Sequence, residues 1–341
     1  MRLMARLRGR KRRRTKADRA SALQDEIADL RRRRSRALEE AEELREALFA
    51  RMRKLKRMGA ELEAPELPGA ESSGEEVWKP PTEAPEVPAG WEVGPPDFVG
   101  VGCQRAGTTW WFRMLTSHPR IHAPLSPGGK ELHYLGAFSS GRMSPEQVQG
   151  YYARFPRPPG DIAGEWTPGY LTAHWVPRLL TRIAPDTRAL VMLRDPMDRY
   201  QSAISYSSRD GRAPARAGGQ AMRSMYFMQL RRLLRHMPRE RVLVLQYERC
   251  KARPEEELRR TWEFLGVDAE EAEMPEFEPQ VGHKISRPLL DPGVEEDLLA
   301  TWAEDIEALG REFPELDLSL WPSVEKLGIP LPSRADGDRT R

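Results

Sequence analysis

The residues that could do chemistry fall into two short runs. Gln104-Arg105-Ala106-Gly107-Thr108-Thr109-Trp110 lies between an apolar run, Phe98–Cys103, and a helical stretch, Thr108–Ser117, stopped at His118-Pro119. A helix N-terminus offers unpaired N–H groups and the positive end of its dipole, and so attracts phosphate. Gly107 lets the backbone turn close to an anion. Thr108 and Thr109 add hydroxyl donors, and Arg105 adds a fixed, forked cation. The run is not a Walker A loop, because the only Gly-Lys, Gly129-Lys130, is followed by Glu131 and lacks the upstream Gly. This disfavours a nucleotide kinase or ATPase. The second run follows the apolar segment Ala189–Leu193: Arg194-Asp195-Pro196-Met197-Asp198-Arg199-Tyr200-Gln201-Ser202. Arg194 sits at a strand's C-terminal edge, where ligands gather in open α/β sheets. Ser202 falls in the following helix, at a separation that lets both side chains converge on one phosphate.

The elements that must position these runs alternate. Strands are expected at Phe98–Cys103, Ile162–Glu165, Ala189–Leu193 and Arg241–Gln246. Helices are expected at Thr108–Ser117, Pro196–Ser207, Met222–His236, Glu255–Leu265 and Val294–Phe313. This pattern predicts an α/β domain, a parallel sheet with helices on both faces, over residues 96–325. Residues 207–221, rich in Gly, Ala and Arg, read as a mobile basic loop. Residues 326–341 read as a disordered tail.

The remainder is solvated. Residues 1–58 carry 21 Lys+Arg against 9 Asp+Glu, a net of +12, and the rest of the chain is −9 within a total of +3. Residues 1–16 read as a disordered basic arm. Residues 17–58 contain no Gly or Pro and read as one long helix. Its 3-4 spacing from Leu23 to Met58 supports either a homodimeric coiled coil or a solvated single helix, since Arg34 and Arg51 interrupt the seam. Residues 59–95, rich in Pro, Glu and Gly, read as a linker. The arm suits weak contact with an anionic membrane surface or acidic glycan rather than specific nucleic-acid recognition. Two distant cysteines, Cys103 and Cys250, make neither a disulfide framework nor a Cys-rich zinc site, and suit a reducing compartment. With no apolar leader or membrane-spanning run, the expected location is cytoplasmic, with membrane-peripheral contact through the arm.

Together the two runs, QRAGTTWWFRMLTSHP and RDPMDRYQSAISY, resemble the two signatures of sulfotransferases that use 3′-phosphoadenosine 5′-phosphosulfate. VLVLQYERCKARPEEELRRTWEFLG and RSMYFMQLRRLL extend the likeness over residues 97–320, toward the carbohydrate and heparan sulfate type. The resemblance implies a P-loop-like three-layer fold and that nucleotide as co-substrate, with no metal. It implies that Arg105, Gly107, Thr108 and Thr109, with Ala106 in the same loop, hold the 5′-phosphosulfate. Arg194 and Ser202 would hold the 3′-phosphate, and Trp110 and Tyr247 would lie at the adenine or serve as core aromatics. Most members have Lys in place of Arg105; the charge role at the leaving phosphate oxygen carries over, which makes Arg105 an expected catalytic residue, while proton donation does not.

The segment Gly129-Lys130-Glu131-Leu132-His133-Tyr134 resembles the family's K-E-x-H-F-F element, which implies Glu131 as general base, ahead of His133. In Gly164-Glu165-Trp166-Thr167-Pro168, Trp166 stands where heparan-type members carry a catalytic Lys, so Trp166 either stacks on an acceptor or packs inward. The expected acceptor is a glycan, glycolipid or small molecule, sulfated on a hydroxyl or amine. The competing reading is a non-catalytic nucleotide-binding protein whose coiled coil is the working part.

Overall fold

A computed structural model describes residues 85–126, 129–209, 217–277 and 290–329. The basic arm, the long helix with its dimer seam, most of the linker and most of the tail lie outside those residues.

Five strands form one sheet: β2 (Phe98–Gly102), β3 (Ile121–His122), β5 (Ile162–Trp166), β6 (Arg188–Leu193) and β7 (Val242–Gln246). They lie in the order β3-β5-β2-β6-β7, and every neighbouring pair is parallel. Strands covered on both faces read as continuous apolar runs, and β2, β6 and β7 do so, with nearly every residue buried. The two-residue strands β1 (Glu92–Val93) and β4 (Pro156–Arg157) pair antiparallel as a separate ribbon. The ribbon brings Glu92 and Val93 out of the stretch expected to be linker; two residues carry no periodicity that a sequence reading could use.

From β2 the chain passes through α1 (Thr108–Leu115) toward β3 and returns by β5. It then crosses to β6 and through α4 (Pro196–Arg209), α5 (Ala217–Met222) and α6 (Tyr226–Leu234) to β7. Right-handed crossovers running in opposite directions place α1 on one face and the α4–α6 group on the other. They also open a crevice at the C-terminal ends of β2 and β6, the switch point of the sheet. Two further helices, α2 (Pro145–Tyr152) and α3 (Val176–Ile183), flank β4 and β5 in the chain and were not expected from the sequence. After β7 come α7 (Tyr247–Ala252), α8 (Pro254–Leu265), α9 (Pro292–Glu312) and α10 (Pro322–Leu327).

The helices follow their apolar faces. In α8, Leu258, Thr261, Trp262 and Leu265 are buried at helical spacing, and Gly266 ends the helix at φ 82°. Trp262 donates its indole N–H to the Leu115 carbonyl (3.1 Å), fixing α8 to the end of α1. On the opposite face α9 packs against α6, and Asp305 accepts from the N–H groups of Phe227 and Met228 at 2.9 and 3.0 Å, capping α6.

That cap marks a departure from the continuous helix expected over Met222–His236. The helix breaks between Met222 and Tyr226. The Gln229 amide bonds the carbonyls of Met222, Arg223 and Met225 in the gap, and Ser224 accepts from the buried Arg199 guanidinium at 2.8 Å. Part of the expected basic loop is also helical: α4 runs to Arg209, and Ala217–Met222 forms α5.

Candidate active site

The loop after β2 turns on two residues with left-handed backbone, Arg105 (φ 66°) and Gly107 (φ 88°). At Gly107 a Cβ would lie 2.6 Å from the Tyr247 ring, so a glycine is required both by φ and by that close approach. Ala106 and Thr108 are buried and Thr109 is exposed at the first turn of α1, where leading N–H groups lack a partner within the helix.

The Arg105 side chain turns away from α1. Its Nε donates to Ser202 Oγ (3.2 Å), and its Cζ lies 4.5 Å from the centre of the Tyr206 ring. Arg194 donates from Nη1 to the Arg105 carbonyl (3.3 Å) and from Nη2 to Asp198 (3.1 Å), and lies over Tyr247 at 4.9 Å. The structure thus brings Arg105, Arg194 and Ser202 together and seats Tyr247 between Gly107 and Arg194. Burial lowers the Arg105 pKa, and the like charge of Arg194 adds to that. No carboxylate pairs with Arg105 among the described residues. Two neighbouring guanidinium groups thus share one carboxylate, Asp198, which pairs with Arg194.

Trp110 is 5% exposed, edge-on to Trp111 and Tyr247 at 5.2 and 6.3 Å, in a packing position beside the loop. Trp166 is fully buried. Its ring fills the space over Gly100, where a Cβ would lie 2.1 Å from the indole, and its N–H bonds the Gly102 carbonyl (3.1 Å). Of the two readings of Trp166, packing holds, because a ring pinned to the central strand cannot stack on an acceptor.

The second group of side chains hangs on the end of β5. The Trp166 backbone N–H donates to the Lys130 carbonyl (2.9 Å), and Lys130 Nζ donates back to the Trp166 carbonyl (3.2 Å). Lys130 Nζ also reaches Glu131 Oε1 (2.6 Å) and Thr108 Oγ1 (3.5 Å). The other Glu131 oxygen lies 3.3 Å from His133 Nε2. Burial works to raise the Glu131 pKa, but hydrogen bonds from His133 and Lys130 outweigh it, and the carboxyl is held below its ordinary value.

Beneath this loop Glu165, fully buried, accepts from Leu132 N–H (3.2 Å), Thr167 Oγ1 (2.5 Å), Tyr151 OH (2.7 Å) and Tyr170 OH (3.1 Å). Thr167 Oγ1 in turn accepts from His133 N–H (3.2 Å), where the backbone is left-handed at φ 52°. Glu165 and Thr167 hold the loop that carries Glu131 and His133. The sequence assigned no role to either residue or to Lys130. A buried Glu two residues before a Thr at a strand end was the available signal, and it has meaning only once Leu132 is known to lie above it.

A family model described as "Sulfotransferase domain" matches residues 95–280, more than half of the chain. Heparan sulfate glucosamine 3-O-sulfotransferase 6 of Homo sapiens is 28% identical over 188 residues, 50% of this chain and 52% of that protein. Heparan sulfate glucosamine 3-O-sulfotransferase 3B1 of Mus musculus is 25% identical over 189 residues, 50% of this chain and 46% of that protein. The chain therefore spans about half the length of the curated relatives it matches. Among solved structures, a sulfotransferase from Alicyclobacillus acidocaldarius superposes with a TM-score of 0.54 at 24% identity, over 67% of this chain and 99% of that one, a likeness of fold.

Proposed function

Because the chain belongs to the sulfotransferase domain family, we propose that it transfers the sulfonate of 3′-phosphoadenosine 5′-phosphosulfate to a hydroxyl of a glycan. The observation that carries this is the convergence of Arg105, Arg194 and Ser202 beside a phosphate-type loop at the switch point of the sheet. A 3′-phosphate is what separates this donor from ordinary adenine nucleotides, and two arginines with a serine suit that phosphate. The 5′-phosphosulfate then lies at the N-terminus of α1, against its N–H groups and Thr108.

The acceptor oxygen attacks sulfur as the bond from sulfur to the phosphate oxygen breaks, and that oxygen keeps the electron pair. Glu131, ionised and oriented by two hydrogen bonds, takes the acceptor proton. His133 is the most exposed member of the group, with 46% of its side chain accessible, and lies on the acceptor side. A glycan acceptor is supported by the relatives named above, both of which are heparan sulfate sulfotransferases. The buried, free thiols Cys103 and Cys250 support a reducing compartment.

Incubation with radiolabelled donor and a panel of desulfated glycans tests the reading. Label should appear on a glycan with the wild type, and Glu131→Gln should cut that transfer about 10²–10⁴-fold. A protein that moves no label and binds the donor no better than adenosine 5′-phosphate is not a sulfotransferase.

A further inference from the structure

The donor proposed above has two anionic ends, and the cations of the site are divided between them. Arg105 bonds Ser202, and Arg194 bonds the Arg105 carbonyl. The Arg105 side chain is held by Ser202 Oγ and the Tyr206 ring, both on α4. Trp166, which stands where heparan-type members carry a Lys, has a buried ring and no charge. Among the described residues, one side chain brings a cation to the first residue of α1. Lys130, 9% exposed, places Nζ 3.5 Å from Thr108 Oγ1 at the first residue of α1. Its other two partners, Glu131 Oε1 and the Trp166 carbonyl, are closer, at 2.6 and 3.2 Å.

We propose that Lys130 is the catalytic cation of the leaving group and that Arg105 is instead a specificity residue for the 3′-phosphate; both assignments rest on the sulfotransferase reading. An ammonium carries three protons. Two are directed to Glu131 and the Trp166 carbonyl, and the third points at the helix N-terminus through the loosest of the three contacts. An oxygen of the 5′-phosphate replaces Thr108 as its partner. When the bond from sulfur to the phosphate oxygen breaks, the electron pair left on that oxygen is met by Lys130, while the acceptor proton passes to Glu131. The base and the leaving-group cation are thus neighbours in sequence and joined by an ion pair, so one loop, anchored by Glu165, sets both.

Calorimetry with three nucleotides separates the two ends without an acceptor. The affinity ratio of adenosine 3′,5′-bisphosphate to adenosine 3′-phosphate reports the 5′-phosphate contribution; its ratio to adenosine 5′-phosphate reports the 3′-phosphate contribution. Lys130→Met should reduce the 5′ ratio about tenfold or more and leave the 3′ ratio unchanged. Arg105→Met should do the reverse. Unaltered binding of adenosine 3′-phosphate shows that the Lys130→Met protein is folded; if it does not bind, Lys130→Gln, which keeps a donor in place, is read in the same way. In the labelled-transfer assay Lys130→Met should also slow turnover about 10²–10³-fold at saturating donor. The proposal is overturned if Arg105→Met removes the 5′ ratio, or if Lys130→Met and Lys130→Gln leave it intact. A wild type that gains affinity from neither phosphate would instead overturn the sulfotransferase reading itself.

Discussion

Replacing Glu165 tests whether a buried carboxylate holds the catalytic loop. It accepts four hydrogen bonds with no exposure to solvent. Glu165→Ala leaves Leu132 N–H, Thr167 and two tyrosine hydroxyls facing a cavity. One unsatisfied buried donor costs about 1–3 kcal/mol, and the hydroxyls can turn to other partners while the Leu132 N–H cannot. Adding the cavity, the loss is about 3–5 kcal/mol. Glu165→Gln is different. Its amide oxygen can accept from Leu132, and its NH2 can donate to hydroxyls that rotate to accept, so the cost is about 1 kcal/mol.

Stability also gains a pH signature. Burial raises the Glu165 pKa above its ordinary value. Between the unfolded and folded pKa values the native state binds the extra proton, so this group's contribution is present below about pH 4.5 and is lost as pH rises through the folded pKa. Gln lacks that titration, so the stability gap between wild type and Glu165→Gln should narrow from pH 4 to pH 7. Urea unfolding across that range, followed by tryptophan fluorescence, measures it. Equal losses for Ala and Gln, or a gap that widens with pH, would refute the anchoring argument.

Two other expectations follow from the same site. Because His133 and Lys130 hold Glu131 below its ordinary pKa, the acid limb of kcat/KM should fall below about pH 4.5, and His133→Ala, by removing one of those donors, should move it upward; a pH–rate series on both proteins checks the direction. Trp166→Ala should destabilise the fold by about 3–5 kcal/mol, because the ring fills the space over Gly100, and a thermal melt that is unchanged would show the ring to be dispensable to the core.

The sulfotransferase assignment was legible because its signals are local. An apolar run, a glycine turn and a helix start at residues 98–115 are contiguous, and so are the strand and helix around Arg194 and Ser202. Backbone propensity and side-chain periodicity act over a few residues, so such units declare themselves in the chain. The strands β2, β5, β6 and β7 and most of the longer helices were legible for the same reason, to within a residue or two at their ends. The break between α5 and α6 was not, because Gln229, Arg199 and Asp305 impose it from three separate elements.

The division of labour within the site is of that second kind. Gly-Thr-Thr fixes where the helix starts, but the direction of Arg105 depends on Ser202, 97 residues away. Lys130 reaches the phosphate loop only because β5 brings Trp166, 36 residues on, alongside it. The glycine at position 100 that leaves room for a tryptophan belongs to yet another strand. Sequence alone determined that a glycine turn joins a strand to a helix start at residues 98–115 and that the chain resembles a sulfotransferase. The direction in which Arg105 and Lys130 point was decided by tertiary structure, because a flexible charged side chain takes its direction from partners that only the fold assembles.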